Sequence, residues 1–178
     1  MIGSIVALTL AAAVAGSGAP VGPCMWDAVA IDRTKLLAEG MEAVPEPALR
    51  AAAAACGLAG DDIDTAEFPF GFYVGSQMLA RRLAGRWSPE TLAAVIDAIP
   101  EDQILFFWMV SESQRTDAYC LQEAAAWSRV YQALGEPPIK VGDPSRDGDL
   151  EFYIIARVGW RLGERELAEL SEGRARKP

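Results

Sequence analysis

The chain has 178 residues, 51% of them hydrophobic and 23% charged, with a formal net charge of −9 and no histidine. Such a chain forms one domain and buries roughly two-thirds of the surface its unfolded form exposes, so it needs no metal to fold. The acidic balance disfavours a nucleic-acid partner, and the lack of histidine excludes Ser-His-Asp and Cys-His catalysis and imidazole metal sites.

No charged side chain occurs before Asp27, and Ile5 to Ala15 is an eleven-residue run, apolar except for Thr9, that breaks into Gly16-Ser17-Gly18-Ala19-Pro20. The run is too short to span a bilayer and suits the apolar region of a signal peptide, with Ala13-Val14-Ala15 as a small-x-small cleavage site. Residues 1–19 are therefore read as a signal-peptide-like segment and 20–178 as a single helical domain, with a periplasmic or secreted location and no stable membrane span after processing. The Met1–Ser4 start has no Lys or Arg, which leaves an uncleaved anchor or a buried helix as the other readings of the segment.

Cys24, Cys56 and Cys120 are the three cysteines. Cys120, Ala124, Trp127, Tyr131 and Leu134 fall on one helical stripe, so Cys120 reads as a small core residue. That leaves Cys24–Cys56 as the expected disulfide of an exported chain, closing a loop of about thirty residues worth roughly 3 kcal/mol in the chain-entropy model, with free thiols in a cytosolic chain as the alternative. Between them, Asp27 to Glu39 reads as a helix stopped by Gly40, and Pro45-Glu46-Pro47 opens an alanine helix from Ala48 to Cys56 ended by Gly57.

Gly60-Asp61-Asp62-Ile63-Asp64-Thr65 reads as a polar loop or helix cap without calcium-loop spacing. Phe68-Pro69-Phe70-Gly71-Phe72-Tyr73 is expected to lead into a helix that puts Phe72, Leu79 and Leu83 on one side and Arg81, Arg82 and Arg86 on the other. Its aromatics are read as core packing in preference to the floor of a ligand pocket. Ser88-Pro89-Glu90 starts a helix whose inward stripe is Leu92, Val95, Ile96 and Ile99. Pro100-Glu101-Asp102 starts another, carrying the seven-residue apolar run Ile104 to Val110, the densest in the chain. A segment apolar on every face should be covered on every face, so this run is expected to be the central helix.

Thr116 to Leu134 follows as a helix ended by Gly135 and Pro137-Pro138. Leu150 to Leu162 suits a helix or a strand, with helix favoured by the composition of Glu164 to Leu170; Gly159 and Gly163 would allow close packing there or mark a kink. Asp27 to Arg33 matches Asp97 to Gln103 at an offset of seventy with three identities in seven, as two related helical hairpins would. The fold class is all-α: an irregular bundle of six or seven short helices around Ile104–Val110.

Two stretches carry chemistry in part. Asp143, Ser145, Asp147 and Gly148 occupy positions 1, 3, 5 and 6 of an EF-hand-type loop, and Asp149 and Glu151 add carboxylates. The twelfth position is Ile154 where a bidentate Glu completes the shell, so a bound calcium would keep its waters and bind weakly. Glu112-Ser113 resembles the Glu-Ser pair of lytic transglycosylases, and the resemblance implies an envelope glycan hydrolase with Glu112 as general acid; the Gly-Leu-Met-Gln stretch of that family is missing. No phosphate loop, dinucleotide fingerprint, nucleophile elbow or Cys-x-x-Cys occurs. The leading expectation is a small exported protein without catalytic activity or cofactor, binding an envelope protein or a small ligand.

Overall fold

The structure, a computed structural model, describes residues 20–108, 116–138 and 148–175. Among them are seven α-helices, α1 (Val21–Ala28), α2 (Arg33–Glu39), α3 (Glu46–Ala55), α4 (Asp61–Leu83), α5 (Pro89–Asp97), α6 (Asp117–Ala133) and α7 (Gly148–Ala175), together with 3-10 segments at Gly40–Ala43 and Glu101–Phe107. No strand occurs among the described residues, so the fold is all-α and Leu150–Leu162 is helical. The signal-like segment lies outside the described residues.

Three helices, α2, α5 and α6, start at an N-cap side chain. Ser88 Oγ accepts the Thr91 N–H at 3.1 Å before α5, and Thr116 Oγ1 accepts the Tyr119 N–H at 3.1 Å before α6. Asp32 does the same for α2, accepting from Lys35 N–H at 3.0 Å. This cap divides the helix expected over Asp27–Glu39 into α1 and α2, with an extended link between them. Helix α4 begins earlier than expected, at Asp61. The acidic stretch at Asp61–Asp64 is its first turn, where carboxylates suit the positive end of the helix dipole, and the helix continues through Pro69. An interior proline costs about 3 kcal/mol, offset here because Pro69 is buried against α7.

The centre of the molecule is the antiparallel pair of long helices, α4 and α7. Pro69 faces Gly163, Phe72 faces Gly159, Gly75 faces Ala156 and Arg82 pairs with Asp149, so the numbers fall on α7 as they rise on α4. The pair spans two apolar clusters. Near the start of α4, Ala66, Phe70 and Val74 pack with Met25, Leu36, Leu49 and Leu167. Near its end, Ala80 and Leu83 pack with Leu92, Ile96, Trp127, Leu150, Ile154 and Val158. Each fully buried large side chain, such as Phe70 or Ile154, contributes roughly 1.5 to 3 kcal/mol.

The apolar run Ile104–Val110 is not the central helix. Its described part is a 3-10 helix, in which residues three apart share a face, so Ile104 and Phe107 are buried while Leu105 between them is 54% exposed. Met109 and Val110 lie outside the described residues. The two stretches matched at an offset of seventy both lie where a helix ends and a short link begins, at Ala28 and at Asp97. The chain then continues as an α-helix in the first case and a 3-10 helix in the second.

Candidate functional site

A cleft of about 530 Å³ runs along one side of the α4–α7 pair. Its existence traces to glycines. On α7, Gly159 and Gly163 let the helices close: a Cβ at 159 would lie 2.7 Å from the Phe72 ring, and one at 163 would lie 2.8 Å from Pro69 Cβ. On α4, Gly71 and Gly75 do the opposite. A Cβ at Gly75 would meet nothing nearer than Ala156 Cβ at 3.8 Å, and one at Gly71 nothing nearer than Met41 Cγ at 3.5 Å. Both sit in a helix with ordinary backbone angles, where glycine is about 1 kcal/mol worse than alanine. Packing does not require them, and their effect is to leave the groove floor open.

The walls are apolar. Phe68, Phe72 and Leu79 of α4 and Phe152 and Ile155 of α7 line them, with Met41 and Met78 adding flexible thioethers. Phe152 is 63% exposed and Phe68 44%, so the lips present apolar surface to water. Phe68 and Phe72 meet edge-on with centroids 4.8 Å apart, and Trp108 touches both, at 6.0 and 5.4 Å. The aromatic stretch therefore divides: Phe70 is core, as expected, whereas Phe68 and Phe72 form part of the groove. The ionisable side chains among its lining residues are Glu67 at one end and Arg82 at the other, and Arg82 Nη1 is 3.5 Å from Asp149 Oδ1. With one carboxylate and one guanidinium far apart, the described lining suits the holding of an apolar molecule.

Away from the groove, a polar and aromatic belt locks the helices. Glu164 of α7 accepts the Val21 and Gly22 N–H groups at 2.8 and 2.7 Å, capping α1, and accepts the Trp160 indole N–H at 2.6 Å. Tyr73 stacks edge-on between Trp26 and Trp160, at 5.9 and 5.0 Å. The Arg157 guanidinium lies 4.4 Å above Trp160 and donates to Asp97, and Arg161 donates to the end carbonyls of α5 at Ile96 and Ile99. Burial pushes the Tyr153 hydroxyl up to about 12, partly countered by Arg157, so it stays protonated. A disulfide joins Cys24 of α1 to Cys56 at the end of α3, with Cα atoms 5.9 Å apart. Cys120 is a free thiol and half-buried, less enclosed than its stripe predicts, while Ala124, Trp127, Tyr131 and Leu134 are buried.

The other sequence candidates disperse. Glu112 and Ser113, like Asp143, Ser145 and Asp147, lie outside the described residues. Asp149 and Glu151 fall in the first turn of α7, Asp149 beside Arg82. Among the described residues no group of three or more acidic or cysteine side chains is placed to hold a metal ion, and no helix is long and apolar enough to cross a membrane. The groove itself was missed in the sequence, although Gly71 and Gly75, four apart among apolar residues, carried a trace of it. No protein-family model, curated protein or solved structure matches the chain.

Proposed function

We propose that this is a binding protein of the cell envelope or exterior, without catalytic activity, which takes an apolar ligand in the groove between α4 and α7. The observation that carries the reading is the pair Gly71 and Gly75: two helix-weakening residues at which nothing presses on the backbone, under a cleft walled by apolar side chains. Its volume, about 530 Å³, is that of a small-molecule site, and sites of this kind are mainly apolar with a few polar groups at fixed places. The Cys24–Cys56 disulfide and the signal-like start support a location outside the reducing cytoplasm.

The test is titration with the neutral probe N-phenyl-1-naphthylamine, whose fluorescence rises in apolar surroundings. Wild type should enhance it in a saturable way. Gly75→Leu fills the groove while improving helix propensity, and should weaken probe binding at least tenfold, with melting temperature kept or raised. Absence of enhancement by wild type, or equal binding by Gly75→Leu, would reject the reading.

A further inference from the structure

We infer that the groove's ligand is a single-chain amphiphile with a positively charged head seated at Glu67, an assignment that rests on the apolar-ligand reading above. The two ionisable lining residues lie fifteen positions apart on α4, about 22 Å along a helix at 1.5 Å per residue, so one end of a long ligand meets one of them. They are not equivalent. Arg82 already has the Asp149 carboxylate at 3.5 Å. Glu67 is exposed and has no ion-pair partner among the described residues.

Three further features select a cation at the Glu67 end. The neighbouring Phe68 is 44% exposed and is clustered with Phe72 and Trp108, and aromatic ring faces attract ammonium groups. The acidic first turn of α4, Asp61, Asp62 and Asp64, precedes Glu67 at the same end of the helix, with Asp64 paired there to Arg50 at 3.1 Å. The chain as a whole carries −9, which concentrates cations around it and repels anions. Between the two ends the floor is Gly71 and Gly75 and the walls are apolar, as a hydrocarbon tail requires.

Three amphiphiles of equal chain length test this by displacement of the neutral probe, below their micelle-forming concentrations: dodecyltrimethylammonium, dodecanol and dodecanoate. The expected order is cation, then alcohol, then carboxylate. The cation should act at roughly five- to tenfold lower concentration than the alcohol, the yield of one exposed ion pair with a cation–π contact. Glu67→Gln should reduce the cation to the level of dodecanol, and added salt should shrink the cation's advantage in wild type. Equal displacement by the cation and the alcohol, or strongest displacement by dodecanoate, overturns the inference and leaves the groove reading standing. A probe that no amphiphile displaces, or that does not bind, removes both.

Discussion

Replacing Gly159 by alanine tests the packing of the central helix pair against the ordinary rule for helices. In a helix interior, Gly→Ala is worth about 1 kcal/mol of added stability. At position 159 the new Cβ would lie 2.7 to 2.8 Å from three carbons of the Phe72 ring. That ring is braced by Phe68 and Trp108, with centroids 4.8 and 5.4 Å away, so it cannot move without disturbing both. Overpacking of this kind costs about 1 to 3 kcal/mol, so the net expectation is a loss of about 1 kcal/mol, or roughly 2 to 4 °C in melting temperature for a chain of this size. Gly75→Ala, on the facing helix, meets only Ala156 Cβ at 3.8 Å and should gain about 0.5 to 1 kcal/mol. Urea denaturation followed by circular dichroism, with the disulfide intact, measures both. The opposite signs are the prediction; a Gly159→Ala variant stabilised by about 1 kcal/mol, as at an open helix position, would refute the close approach of α4 and α7.

Glu164→Ala should cost about 2 to 3 kcal/mol, because it strips the cap from two N–H groups of α1 and the partner from the Trp160 indole; equal stability in urea would show that the cap is not formed. Removing the disulfide by Cys24→Ser with Cys56→Ser should cost about 3 to 4 kcal/mol for a loop closed across 32 residues, and without reduction only Cys120 of the native protein should alkylate. Tyr153 makes an alkaline prediction. Its hydroxyl ionises at about 12 in the folded protein, against an ordinary value near 10, so the folded state keeps a proton that the unfolded chain releases. Its contribution is full below about pH 10 and is lost as pH rises towards 12, at roughly 1.4 kcal/mol per pH unit. Tyr153→Phe should flatten that part of the stability profile, and an unchanged slope would count against the burial of the hydroxyl.

What the sequence made legible was local. Ser88-Pro89 and the Leu92 to Ile99 stripe located α5, and Thr116, Gly135 and the diproline bounded α6, because caps and breakers act within a few residues. The Cys24–Cys56 bond followed from placing Cys120 on a helical stripe, and of the two roles open to Gly159 and Gly163, close packing or a kink, the first is the one found. Errors came where a local rule lost to tertiary contact. Phe68 to Tyr73 was expected to lead into a helix, yet the whole stretch lies inside α4, where Pro69 is buried against Gly163. The Ile104 run looked central because apolar density was equated with coverage, but a 3-10 turn buries only every third residue. The groove was illegible for another reason. It needs Gly75 and Ala156 to face each other, a pairing of residues far apart that no local pattern encodes.

The most direct test of the groove is methyl NMR of the protein labelled with ¹³C at its methionines. Met41 and Met78 line the groove, whereas Met25 is fully buried in the core beside it and serves as the internal control. Addition of N-phenyl-1-naphthylamine should shift the Met41 and Met78 methyl signals with a common saturation curve, leave Met25 in place, and do neither in Gly75→Leu. Shifts absent from Met41 and Met78, or unaffected by the leucine, would contradict ligand binding between α4 and α7.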